Sequence, residues 1–215
     1  MSIPLIVFAK APIAGQVKTR LQSHCSAQQA AEIAKLLLDE CLSKVTAVWP
    51  GAIFLSVAND QQHPFILKMV DVYEVRLVQQ SSGDLGEKMH SSFEEHGYPA
   101  AILGSDAPHI SKAALLRSYE VLRSNANVIG PSEDGGYYLI GLSNPSGCLF
   151  EGMGWGQSTV LNSTLSMAEN NSIVLEQLES LNDIDTWPDL MAAIDQLPTI
   201  KNYLVEQLLI SHRDA

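Results

Sequence analysis

Short apolar runs alternate along this chain with longer stretches of helical periodicity, and that alternation restricts it to βαβ units on a mostly parallel sheet. Strands are predicted near Ile3–Ala9, Ala52–Ala58, Tyr73–Gln79, Ala100–Leu103, Asn127–Ile129, Tyr137–Leu142 and Ser172–Leu175. Helices are predicted over Ser26–Val48, Pro64–Val70, Asp84–His96, Lys112–Ser124, Ser158–Asn170, Thr186–Asp195 and Ile200–Ser211. The longest has the clearest ends, with a capping box from Ser26 and Gln29 and a stop at Pro50-Gly51. The alternation breaks once. Only Gly130-Pro131-Ser132-Glu133-Asp134-Gly135-Gly136 separates the fifth strand from the sixth, whereas a parallel crossover takes a dozen residues or more. Those two strands cannot be parallel neighbours, so the sheet is expected to be mixed. With no repeat or linker-like tract in its 215 residues, the chain reads as a single domain over 1–215. The expected fold is a three-layer α/β/α sandwich whose last third covers the sheet.

Charge narrows the partners. A formal net charge of −11 argues against nucleic acid or an anionic membrane, both of which call for a dominant positive face. Yet three of the 13 Lys and Arg residues, Lys10, Lys18 and Arg20, follow the first strand closely, and a locally basic loop on an acidic protein suits a small anion. The start, Met1 to Phe8, has no basic region and too short an apolar run for a signal peptide or membrane span, so a cytoplasmic location is expected. Cys25, Cys41 and Cys148 lie far apart without a C-x-x-C pair, and buried free thiols are expected.

Five segments carry the chemistry, most of them at predicted strand ends. In Lys10-Ala11-Pro12-Ile13-Ala14-Gly15-Gln16-Val17-Lys18-Thr19-Arg20-Leu21, exposed backbone N–H groups and two cations at the far end can cradle phosphates. The segment is neither a P-loop nor a G-x-G-x-x-G turn. Gly83-Asp84-Leu85-Gly86-Glu87-Lys88-Met89 reads either as a helix cap or as a place where a nucleobase approaches the backbone near Gly83 and Lys88 reaches a phosphate. Gly104-Ser105-Asp106-Ala107-Pro108 ends an apolar strand, and a carboxylate there stands where open α/β sheets bind ligands. Asp106 either caps the following helix or meets a metal or cationic group. Asp134-Gly135-Gly136, beside Tyr137 and Tyr138, places an acid and two permissive glycines in one short turn, and an acceptor contact is expected there. In Asp183-Ile184-Asp185-Thr186 the two acids alternate, so one of them faces Asp106; Asp185 or Thr186 can instead cap the next helix. Mg²⁺ or Mn²⁺ needs only one or two protein carboxylates when substrate phosphates and water supply the rest. Trp155, in a Gly-rich stretch, is either part of an acceptor lid or a loop anchor packed by its indole. No H-E-x-x-H or G-x-S-x-G occurs.

Taken together and in this order, these segments resemble a bacterial family of glycosyltransferase-A-like proteins known as nucleotide-diphospho-sugar transferases or radical-SAM/selenodomain-associated transferases. The resemblance runs from Phe8 to Leu190, and its wider relatives look like the guanylyltransferases of molybdenum-cofactor and phospholactate chemistry. It implies that the first loop holds nucleotide phosphates, that Asp106 anchors a divalent metal, and that Asp183 or Asp185 is the second ligand. This sequence departs from the pattern at Ala14, where Pro is frequent, at Lys88, where Arg is common, and at Ala107, where Cys is frequent. Lys88 in place of Arg weakens the case for a bidentate phosphate contact at that position.

The leading expectation is a metal-dependent transferase, in which a phosphorylated small-molecule acceptor attacks the α-phosphorus of a nucleoside triphosphate and pyrophosphate leaves. Lys18, Arg20 and Asp106 would carry catalysis; Lys10, Gly15, Gly83 and Lys88 would join the two cations in binding the nucleotide. The acceptor would meet Asp134, Gly135, Gly136 and Trp155. A rival keeps the fold but takes a nucleotide sugar as donor; such glycosyltransferases usually carry D-x-D at the strand end, and here Gly104 stands two before Asp106. A second rival is a non-catalytic nucleotide-binding module, whose binding would be indifferent to magnesium. A homodimer is compatible with each.

Overall fold

In the computed structural model, residues 2–207 and 209–210 are described. Leu5–Ala9 (β1) is apolar on both faces, as an inner parallel strand covered on both sides must be. With Ile53–Val57 (β2), Arg76–Gln79 (β3), Ala100–Gly104 (β4), Asn127–Pro131 (β5), Tyr137–Leu142 (β6) and Leu175–Gln177 (β7) it forms one sheet in the order β3-β2-β1-β4-β6-β5-β7. β6 runs antiparallel to both β4 and β5, and every other pairing is parallel. The short connection therefore does produce a mixed sheet.

Both faces are covered. Leu5 and Val7 pack with Leu38, Cys41 and Leu42 of α1 (Ala27–Val48), Met69 of α2 (Pro64–Tyr73) and Leu115 of α4 (Lys112–Arg123). Ile6, Ile102 and Ile140 face the other way, onto Met89 and Phe93 of α3 (Leu85–His96) and Ala168 of α5 (Val160–Asn170). The expected three-layer sandwich is thus observed. Its last third is distributed differently from expectation: α5 covers the sheet and β7 extends it, but α6 (Trp187–Ala193) and α7 (Pro198–Glu206) pack on α1 and the first loop. Leu21, Ile33 and Leu37 present an apolar surface that the sheet does not use, and Leu190, Ile200 and Leu204 bury it.

The expected boundaries move where side chains anchor a turn. α2 continues to Tyr73, whose hydroxyl donates to Asp39 Oδ1 of α1 at 2.8 Å, and ends at Glu74 in the left-handed region. The third strand accordingly starts at Arg76, not at Tyr73. Ser172 also has positive φ, which delays the seventh strand to Leu175. α6 stops at Ala193 and tightens into a 3₁₀ turn over Ile194–Gln196, while α7 begins at Pro198 and closes at Glu206; Leu208 and Ser211, also expected in that helix, lie outside the described residues. Cys41 is buried as expected, but Cys25 and Cys148 are only half-buried, and all three are free.

From β1 the chain steps outward through β2 to β3, then returns through α3 to β4 on the opposite side of β1. The strand order reverses between β1 and β4. At such a point the loops leaving the strand tips diverge and open a crevice.

Candidate active site

The loop leaving β1 is shaped before it reaches the crevice. Asn59, just past β2, accepts from Ala11 N at 2.6 Å and donates to Ala11 O at 3.4 Å. Gly15 takes φ +81° at the bend, with open space beyond it. Lys18 adopts φ 47°, ψ 40°, a left-handed conformation that costs a non-glycine residue on the order of 1 kcal/mol. This bend leads into the 3₁₀ turn Thr19–Ser23, and the Lys18 side chain lies inward, only 5% exposed.

Asp106 is not a helix cap. Ser111 caps α4, accepting from Ala114 N at 3.0 Å, and so leaves the Asp106 carboxylate at the tip of β4. Lys18 Nζ lies 2.7 Å from Asp106 Oδ1 and donates to Ile184 O at 2.5 Å. Ile184 N in turn donates to Asp106 O at 2.9 Å, so the backbone of one residue, through the peptide groups on either side of it, ties three remote segments together. The cap of α6 resolves in the same way: Thr186 takes it with Asp189 as reciprocal partner, which releases the Asp185 carboxylate. Asp185 sits 3.0 Å from Arg20 Nη1 and 3.8 Å from Lys18 Nζ.

Asp183 differs. Its Oδ1 is buried and has no hydrogen-bond partner. Burial, reinforced by the carboxylates of Asp106, Asp134 and Asp185 and opposed by Lys18, pushes its pKa up to about 7. A buried acceptor without a donor carries a cost of roughly 1–3 kcal/mol. No group of three or more His, Cys, Asp or Glu side chains among the described residues is arranged to hold a metal by itself. The donor set nevertheless fits a hard divalent cation that keeps water and phosphate oxygens: an orphaned carboxylate oxygen on Asp183 and the strand-tip carboxylate of Asp106.

These groups line one cleft of about 600 Å³ across the ends of β1 and β4, whose wall carries Lys10, Lys18, Arg20 and Lys88 together with Asp106, Asp183 and Asp185. That volume is in the range of small-molecule and cofactor sites. Gly15, Gly83, Asp134, Gly135, Gly136 and Trp155 are not brought into its wall. Gly83, with φ +108°, precedes the capping box that Asp84 makes with Glu87. Asp134 Oδ1 accepts from Gly136 N at 2.9 Å, and Gly135 O accepts from Leu161 N at 2.8 Å, so this turn docks the start of α5. The indole of Trp155 packs on Gly86 of α3 and stands edge-on to Tyr137. Gln80, Tyr137 and Tyr138 do line the cleft, although sequence reasoning gave them no role. The adjacent tyrosines were visible in sequence; their aim was not, because the strand register shifts between Gly130 and Pro131.

Residues 41–157 match the family described as uncharacterized protein conserved in bacteria (DUF2064). No curated protein sequence matches the chain. Among solved structures, a protein from Desulfovibrio desulfuricans G20 provisionally named a nucleotide-diphospho-sugar transferase is 25% identical, with TM-score 0.82 over 96% of this chain and 98% of that one. The 4-diphosphocytidyl-2C-methyl-D-erythritol synthase of Anaerococcus prevotii is 13% identical, with TM-score 0.57 over 92% and 96%. Rv0371c of Mycobacterium tuberculosis H37Rv, solved in complex with manganese, is 13% identical, with TM-score 0.55 over 91% and 99%. The last two likenesses are of fold. More than half of the chain matches the family, and the sandwich is that of the nucleotide-diphospho-sugar transferases: the protein belongs to the bacterial DUF2064 family.

Proposed function

We propose that the protein is a transferase that moves a nucleotidyl group from a nucleoside triphosphate to a phosphorylated small-molecule acceptor. The observation that carries this reading is the unpartnered Asp183 Oδ1 beside Asp106, in a cleft that also presents four cationic side chains. An acceptor phosphate oxygen attacks the α-phosphorus, the bond from that phosphorus to the bridging oxygen breaks, and pyrophosphate leaves with the electron pair. The acceptor phosphate is already ionised, so no general base is needed. Lys10, Lys18 and Arg20 bind and orient the phosphates and offset their charge in a partly enclosed site, where such interactions exceed their value in water. Mg²⁺ or Mn²⁺, held by Asp106 and Asp183, would supply further neutralisation of the developing charge on the leaving group. Asp185, paired with Arg20 and Lys18, would set those two cations rather than hold the metal.

The absence of an acid at Gly104 favours nucleotidyl over glycosyl transfer. The test is product analysis with each nucleoside triphosphate and each nucleotide sugar, with and without Mg²⁺, against a panel of phosphorylated acceptors. Release of pyrophosphate is expected. Release of diphosphate from a sugar nucleotide, or nucleotide binding indifferent to Mg²⁺ without turnover, would overturn the reading. Asp106→Asn is expected to lower turnover by a hundredfold or more, and a loss of only a few-fold would remove it from the machinery.

A further inference from the structure

The cleft has a second character on its α3 side. There its wall is formed by Phe8, Leu85, Met89, Ile102, Tyr137 and Ile140, with Lys88 at the border. Met89, Ile102 and Ile140 are continuous with the core beneath α3, whereas Leu85, in the first turn of α3, is 44% exposed, among the few large hydrophobic side chains so open to solvent in the described residues. Phosphates and a metal ion have no use for such a wall, and a nucleobase held at the loop before α3, on the side of Gln80, leaves Met89, Ile102 and Ile140 to another group. Between it and the carboxylates lies Gly104, two residues before Asp106. A Cβ built on Gly104 meets only Tyr138 O, at 3.7 Å, so space is open over the tip of β4 and joins the charged end of the cleft to the apolar one.

We propose that this apolar end binds the body of the acceptor, which is a small molecule carrying an aliphatic or aromatic group on the phosphate that reacts. The orientation rests on the nucleotidyl-transfer reading: the triphosphate occupies the end with Lys10, Lys18 and Arg20, the acceptor phosphate sits near Asp106, and the hydrocarbon runs past Gly104 toward Ile140. The absence of a side chain at Gly104, where a glycosyltransferase usually has an acid, then makes room for the acceptor. Leu85 closes the mouth of the slot. Burial of apolar surface sets the selectivity, and full burial of one methylene strengthens binding by about fourfold.

The test titrates methyl, propyl and hexyl phosphate into the full chain with Mg²⁺ present, by calorimetry. Hexyl phosphate is expected to bind at least tenfold tighter than methyl phosphate. Gly104→Val, a β-compatible residue placed in open space, should cut that preference below threefold, and so should Leu85→Gln, whose exposed position makes it safe for folding. The thermal shift produced by Mg²⁺ with nucleoside triphosphates should be retained in both variants. Equal affinity for the three phosphates, or a preference that neither variant changes, overturns the slot even if triphosphates bind. A hexyl preference abolished by the variants in a protein that no triphosphate stabilises upholds the slot and overturns the nucleotidyl reading instead.

Discussion

Asp183 shows at a single residue what the cleft costs the fold. Its carboxyl is raised from an ordinary value near 3.8 to about 7, first by burial and then by Asp106, Asp134 and Asp185. An acid whose folded pKa exceeds its unfolded one takes up a proton on folding, so stability falls as pH rises through that window, and the full cost is present above pH 7. Asp183→Asn removes the charge at constant shape. With metal chelated, thermal unfolding should show the variant more stable than wild type at pH 8, by up to about 4 kcal/mol, and nearly equal at pH 4. A variant equal to or weaker than wild type at pH 8 would mean that Asp183 is compensated in solution. Lys18 is the counterpart, a buried ammonium in a strained backbone conformation held by Asp106 and Ile184. Sequence placed it in a basic loop; its carboxylate partner was not legible, because an ion pair across so many residues has no local signature.

Among the elements, caps decide which polar side chains are free. The sequence offered two candidates for the cap of α6 and left Asp106 as a candidate for α4. Thr186 and Ser111 take those caps, so Asp185 and Asp106 are released into the cleft. The turn between β5 and β6 works in the opposite direction. Its glycines read as a ligand contact, but Gly135 has φ +91°, and a Cβ on it would lie 1.9 Å from Ser158 O. Gly135→Ala should therefore destabilise the protein by roughly 2–4 kcal/mol. Gly136→Ala, whose Cβ would meet only Asp134 Oδ1, at 3.3 Å, should cost less than about 1 kcal/mol. Chemical denaturation of the two variants checks the contrast, and similar losses would place the constraint in the turn as a whole.

At the scale of the whole molecule, the cleft joins two distant parts of the chain, the loop that follows β1 and the segment that leads into α6. α6 and α7 bury Leu21, Ile33 and Leu37, and Ile184 is fully buried in that same cluster while its backbone N–H and C=O join Asp106 and Lys18. Ile184→Ala should cost about 2–4 kcal/mol in stability. It should also reduce the stabilisation that Mg²⁺ with a nucleoside triphosphate provides, because the backbone that ties the three segments loses its side-chain anchor; an undiminished ligand shift would show that the cluster serves stability alone. The sequence by itself determined the alternation, hence the mixed sheet, the three layers and the strand tips at which the cleft lies, because side-chain period and connection length are local properties. Tertiary structure alone decided the order of the strands, the packing of the last two helices on α1 and the choice of Asp183 over Asp185 as the unpartnered acid beside Asp106. Those outcomes depend on which remote surfaces bury one another, and nothing within a single window of residues records that.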